Sequence, residues 1–257
     1  MPDASDGTCH VHVKANLPPL LLLHGAGCDR HVFDELMSHL DGLACIPLDL
    51  PGRGQAPHPP VRTASEAADF VAKALAERGI ESAFVLGHSY GGAVALELGL
   101  AHPEKVAGLV LVSTGARLRV HHAILAAMEQ AAKAGPTSFV QLPWLPGIDR
   151  ALVEEVERHL ACVPSTTTLA DWQAANAFDR MARVGEITCP ALVLGGTEDE
   201  LTPPKYARWL AEHLPDSRLV LVEGGGHMLP IEHAREVGEL IVSFVADVSM
   251  PSPETQS

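Results

Sequence analysis

The stretch Ala83-Phe84-Val85-Leu86-Gly87-His88-Ser89-Tyr90-Gly91-Gly92 decides how this chain is read. An apolar run over residues 83–86 gives way, at a Gly-x-Ser-x-Gly pentapeptide, to a helical pattern that begins at Gly92. A strand that turns into a helix within so few residues forces the central residue into a strained, left-handed backbone, and only small neighbours tolerate that turn. Ser89 is therefore expected on an exposed, sharp elbow. The same turn aims the Tyr90 N–H and the start of the helix at whatever occupies the site, which suits a developing oxyanion. Taken alone, the pentapeptide has a blander reading as an ordinary turn between a buried strand and its helix.

Its company along the chain argues for more. His24-Gly25-Ala26-Gly27 follows the apolar run Leu20 to Leu23, Asp199 follows the run 191–196, and His227 follows the run 219–222. Each candidate group thus sits just past the C-terminal end of an expected strand. In an open parallel sheet those ends share one edge, where ligands bind.

Composition narrows the class. At 257 residues the chain can bury one large core with an elaboration, and 47% hydrophobic residues exclude a disordered protein. Eighteen Lys and Arg against 32 Asp and Glu give a net charge of −14, which disfavours nucleic acid or an anionic membrane as a partner. The start, Met1-Pro2-Asp3-Ala4-Ser5-Asp6, lacks the basic and apolar regions of a signal peptide, and Leu20 to Leu23 is too short to span a bilayer. A soluble, cytoplasmic protein is expected. The cysteines at 9, 28, 45, 162 and 189 are odd in number and without C-x-x-C spacing, so neither a disulfide framework nor a zinc site is expected. His10 and His12 share one strand face but have no carboxylate or cysteine company at metal-site spacing, so no metal is assigned.

Strand and helix patterns alternate. Runs at 9–15, 20–23, 43–48, 83–86, 106–113, 191–196 and 218–222 predict about seven strands, and helical patterns fall near 32–40, 65–78, 92–101, 203–214 and 233–247. Nearly all-apolar strands in repeated βα units imply a mostly parallel sheet flanked by helices, an α/β fold. Between Gly115 and Gly185 strand signals vanish and three helical stretches appear, near 120–134, 149–161 and 166–182. This reads as a helical cap over 115–185, dividing a core of 9–114 and 186–248, with flexible tails at 1–8 and 249–257. Its division by Gly135-Pro136, Pro143 to Gly147 and Pro164 suggests a segment that opens on its own.

The motifs His24-Gly25-Ala26-Gly27, Asp49-Leu50-Pro51-Gly52-Arg53-Gly54, Gly87 to Gly92, Gly196 to Asp199 with Thr202-Pro203, and Gly226-His227-Met228 with Glu232-His233 together resemble the α/β-hydrolase superfamily, over about residues 19–245. The order Ser, Asp, His is the order of that fold. The resemblance implies Ser89 as nucleophile, His227 as general base and acid, and Asp199 as the carboxylate that orients the imidazole. It also implies the backbone N–H groups of Ala26 and Tyr90 as an oxyanion hole, and no cofactor. Glu198 and Glu223 are rival acids by proximity, but Asp199 holds the motif position. His24 and His88 read as structural neighbours of the site, and Asp49 as a turn anchor through Arg53 or nearby backbone donors. Met128, Phe139, Trp144, Trp172 and Phe178 in the cap read first as packing residues, and as pocket-roofing candidates second, since cap aromatics in such folds also roof the substrate pocket.

Departures from the family pattern refine the expectation. Ser89 stands where dehalogenases and epoxide hydrolases of this fold carry aspartate, and Met228-Leu229 follows His227 where hydroxynitrile lyases have a nearby lysine. The expected activity is hydrolysis of a small or medium carboxylic ester or lactone through an acyl-enzyme, similar to serine esterases and enol-lactone hydrolases. Carbon–carbon bond hydrolysis of a diketone-like substrate, or a non-catalytic ligand receptor on the same fold, are the alternatives. A small molecule is the expected partner of a monomer or homodimer.

Overall fold

A computed structural model describes residues 17–56, 58–135 and 150–250. Six strands form one sheet: β1 Leu20–Leu23, β2 Cys45–Leu48, β3 Ala83–His88, β4 Val106–Val112, β5 Ala191–Gly196 and β6 Ser217–Val222. Their order is β2-β1-β3-β4-β5-β6, and every pairing is parallel. The seventh expected strand, at 9–15, lies outside the described residues. Pro47 sits in β2, the outermost described strand on that side, where a missing N–H interrupts the ladder least.

Alternation along each central strand divides the core in two, because successive side chains leave opposite faces. Leu21, Leu23, Val85, Leu109, Leu111 and Val193 enter one apolar cluster. Their neighbours Leu20, Leu22, Phe84, Leu86, Val110 and Leu192 enter the other. Burial on both faces explains why these strands read as unbroken apolar runs. Helices α1 Asp34–Met37, α2 Ala64–Glu77 and α3 Tyr90–Ala101 follow the first three strands. Helix α2 is amphipathic, burying Ala64, Ala67, Ala68, Val71 and Leu75, and the Thr63 hydroxyl caps it by accepting from the Glu66 N–H at 3.1 Å. Helix α3 is buried from Tyr90 to Gly99, as a helix apolar on nearly every side must be, and its one charge, Glu97, pairs with Arg180.

Between β4 and β5 come α4 His122–Ala134, α5 Arg150–Leu160 and α6 Ser165–Ala177. The pattern at 166–182 overshoots: α6 ends at Ala177, because the backbone beyond it pairs with 116–118 instead. Leu118 N–H donates to Phe178 O, Arg180 N–H donates to Ala116 O, and Arg117 bridges Asp179 antiparallel. The remaining helices are α7 Lys205–His213, α8 Leu229–Glu232 and α9 Ala234–Ser249. Helix α8, a single turn with Pro230 near its start, is too short to have left a periodic signal. No helix among the described residues is long and apolar enough to cross a membrane.

Candidate active site

The strand order reverses between β1 and β3: the chain runs from β1 outward to β2, then returns to place β3 on the other side of β1. The loops that leave β1 and β3 therefore diverge over one crevice. Ser89 sits at that point with φ 53° and ψ −117°, between the end of β3 and the first residue of α3. The turn is held from β4. Ser89 N–H donates to Val112 O at 2.9 Å, and the Thr114 hydroxyl donates to Ser89 O at 2.7 Å. The flanking glycines are steric requirements, since a Cβ on Gly87 would enter the Gly91 backbone and one on Gly91 would enter the Leu23 carbonyl.

Asp199 and His227 arrive from loops after β5 and β6. His227 Nε2 lies 3.0 Å from Ser89 Oγ, and His227 Nδ1 lies 2.9 Å and 3.1 Å from the two Asp199 oxygens. A carboxylate only accepts, so Nδ1 carries the proton and the Nε2 lone pair faces the serine hydroxyl. Asp199 is buried, which alone would raise its pKa. The hydrogen bond and charge of His227, with donors from Thr202, outweigh that and hold the carboxyl down at about 2. Leu201 N–H and Thr202 N–H each donate to Oδ1 at 2.8 Å, and the Thr202 hydroxyl donates to Oδ2 at 2.7 Å. Glu198 and Glu223, the rival acids, are exposed and make no contact with His227.

The two other histidines are buried and neutral. His88 Nε2–H donates to His227 O at 2.9 Å, and burial, reinforced by the nearby His227, pushes its pKa to about 3. His24 accepts from Leu50 N–H at 3.0 Å and donates to Gly25 O at 2.9 Å, tying the loop after β1 to the loop after β2. Its pKa is likewise driven far down, by burial first and by Arg53 second. Tyr90 N–H, at the first position of α3, has no partner within its helix, and Ala26 N–H has none among the described residues. Ala26, Ser89 and His227 share a cavity of about 130 Å³, walled by Leu118, Arg119, Val120, His121, Ile124, Trp172, Ala175, Glu200, Leu201 and Thr202. A larger cavity of about 310 Å³, bounded by Ala116, Arg117, Met181, Lys205, Tyr206 and Trp209, includes none of these three groups, so the chemistry directs attention to the smaller one.

Of the residues expected to roof a pocket, Trp172 lines the smaller cavity. Phe178 and Met128 do not: both are buried, Phe178 in the cluster beneath α3 with the Arg180 guanidinium 5.8 Å from its ring. Phe139 and Trp144 lie outside the described residues. Asp49 anchors its turn through the N–H groups of Arg30 and Gln55 and the Arg30 guanidinium, whereas Arg53 pairs elsewhere. Arg53 makes a buried, two-pronged ion pair with Asp171 of α6, at 2.7 and 2.8 Å, and Asp171 also accepts from Gly27 N–H at 2.9 Å. That brace, and the seat of Thr202 beside Asp199, escaped the sequence reading. A lone aspartate on a small-residue helix such as α6 was the signal for the brace, and the Thr202-Pro203 motif was the signal for the seat.

Residues 20–240 match the model of the alpha/beta hydrolase family. The chain belongs to that family. This hydrolase is 33% identical over 242 residues to the pimeloyl-[acyl-carrier protein] methyl ester esterase of Neisseria meningitidis serogroup C, a match covering 88% of this chain and 93% of the relative. It is 30% identical over 198 residues to a putative carbamate hydrolase RutD of Azorhizobium caulinodans, covering 73% and 75%. In fold the hydrolase resembles a thermophilic esterase of Thermogutta terrifontis, with a TM-score of 0.80 at 24% identity over 91% of each chain. It also resembles the enol-lactonase of Burkholderia xenovorans LB400, with a TM-score of 0.80 at 21% identity over 90% and 92%.

Proposed function

We propose that the protein is a serine esterase that cleaves small or medium carboxylic esters through an acyl-enzyme. The observation that carries this reading is Ser89 Oγ at 3.0 Å from His227 Nε2 while Nδ1 is committed to Asp199. His227 takes the Ser89 proton as Oγ attacks the acyl carbon, and the carbonyl oxygen becomes an oxyanion held by the Ala26 and Tyr90 N–H groups. Collapse breaks the ester bond, and His227 returns the proton to the leaving alkoxide. A water then repeats the sequence against the acyl-Ser89 ester, releasing the carboxylic acid. Asp199 fixes the tautomer throughout and stabilises the imidazolium.

Within this reading the helices between β4 and β5 act as the cap, with Trp172, Ile124 and Val120 against the acyl chain. Similarity to a methyl ester esterase supports a small alcohol as the leaving group. The test is a panel of nitrophenyl and methyl esters of increasing acyl length with Ser89→Ala beside the parent. The variant is expected to lose several orders of magnitude in kcat while keeping its fold, and a fluorophosphonate should label the parent at Ser89. Substantial turnover by Ser89→Ala would remove the nucleophile assignment.

A further inference from the structure

The loop that carries Ala26 continues through Asp29 into a single 3₁₀ turn, Arg30–Phe33, on which α5 packs. There the imidazoles of His31 and His159 stack, with ring centres 4.2 Å apart and planes 17° from parallel. One ligand atom each from Asp29, His31 and His159 lies within 4.8 Å of the others. The plain alternative is a stacked pair of imidazoles beside a capping aspartate, for Asp29 Oδ1 does accept from His31 N–H at 3.0 Å. Three observations go beyond it. Asp29 is buried, yet among the described residues its Oδ2 has no hydrogen bond and its charge no ion pair, because the adjacent Arg30 guanidinium turns to Asp49. Asp34 Oδ2 lies 2.9 Å from His31 Nδ1, and since a carboxylate only accepts, Nδ1 is the protonated nitrogen and the lone pair stands on Nε2. The ring nitrogens of His159 make no hydrogen bond among the described residues.

A carboxylate oxygen left open at the edge of the core and imidazole lone pairs beside it make a nitrogen and oxygen donor set that suits zinc-class ions. A carboxylate behind a ligating histidine is also the usual outer support of a metal site, where it sets the tautomer and raises the basicity of the ring. We propose that Asp29, His31 and His159 bind a divalent transition metal of the zinc class, with Asp34 orienting His31. Two nitrogens and one oxygen suit Zn²⁺, and three protein ligands leave a fourth position for water. Bonds of about 2.0–2.1 Å bring tetrahedral ligand atoms to roughly 3.3 Å apart, so binding draws the donors together by rotation of the half-buried His31 and His159 side chains toward Asp29. The ion would then fasten α5 to the loop that carries Ala26. It takes no part in the chemistry at Ser89.

The test uses the full-length, tag-free protein after chelation and buffer exchange, titrated with Zn²⁺ by calorimetry and with Co²⁺ by absorption spectroscopy. One site is expected with micromolar affinity, a tetrahedral Co²⁺ band, and a rise in Tm on Zn²⁺ addition. His159→Gln, on the half-buried face of α5, should weaken that site at least tenfold and abolish the band. His31→Gln should do the same and serves if the first variant folds poorly, which far-UV circular dichroism reads. Unchanged affinity and stoichiometry in both variants would assign the binding to other histidines or cysteines and overturn the proposal. So would the absence of Zn²⁺ binding by the parent at millimolar metal.

Discussion

Ser89 keeps a backbone that a non-glycine residue adopts only under constraint, at a cost of about 1–3 kcal/mol, and the bonds from Val112 and Thr114 supply the constraint. At the opposite end of the hydrogen-bond chain, Thr202 makes a quieter contribution. Its hydroxyl donates to Asp199 Oδ2 and leaves its oxygen 3.3 Å from His227 Nδ1, so it fixes which carboxylate edge meets the imidazole. It touches no reacting atom, and it is a positioning residue. Thr202→Val keeps the shape and the backbone donor but deletes the hydroxyl. Its kcat should fall about tenfold with KM little changed, and Thr202→Ser should restore most of the rate. The Asp199 carboxyl should also rise from about 2, a shift that carbon-13 NMR of the carboxyl can follow. Equal kinetics for Thr202→Val and the parent would confine Thr202 to packing.

Among the elements, α6 bears directly on how the crevice is covered. Asp171 joins it to Arg53 and to Gly27 N–H, and Thr167 and Thr168 seat so closely that a Cβ on Gly52 or Gly27 would come within 2.8 Å of their methyl groups. Opening of the whole 115–185 segment as one piece would break a buried ion pair. Removing one partner of such a pair strands the other, so Asp171→Asn should destabilise the protein by about 3 kcal/mol, or roughly 6–12 °C in Tm. Arg53→Met combined with Asp171→Leu should recover much of that loss, as measured by calorimetry; a double variant as unstable as the single one would mean the charges themselves are needed. The sequence shows the strands plainly because both of their faces are buried, and it shows Ser89, Asp199 and His227 because each follows such a strand. It hides the Arg53 partner, which lies 118 positions away without any periodic trace. It also misleads at Phe178 to Ala182, where helix-like spacing continues although the backbone has been claimed by residues 116–118. Which residues between β4 and β5 face the cavity depends on helix rotation, and that left Phe178 and Met128 indistinguishable from Trp172.

For the molecule as a whole, buried neutral histidines set the response to acid. His24 and His88 have folded pKa values below the ordinary 6.5, so between the two values the unfolded chain binds more protons than the folded one. Their contribution is complete above about pH 6.5 and is lost as pH falls, at about 1.4 kcal/mol per pH unit for each ring, down to about pH 3 for His88. Asp199 adds to the loss only between about pH 4 and pH 2. Urea midpoints should therefore begin to drop near pH 6, before the carboxylates titrate, and His88→Gln should flatten that slope by about half between pH 6 and pH 4. An unchanged slope would mean that His88 is protonated in the folded protein. The distance along the chain between Ser89 and His227, 138 positions, has its own consequence for biosynthesis. Parallel pairings join remote segments and form late, and a domain generally folds as a unit once its elements are available. A ribosome-bound chain carries Ser89 long before His227, its proton acceptor in the proposed mechanism, has been translated. Under the proposed mechanism, hydrolysis waits until residue 227 has been translated and β6 has docked beside β5.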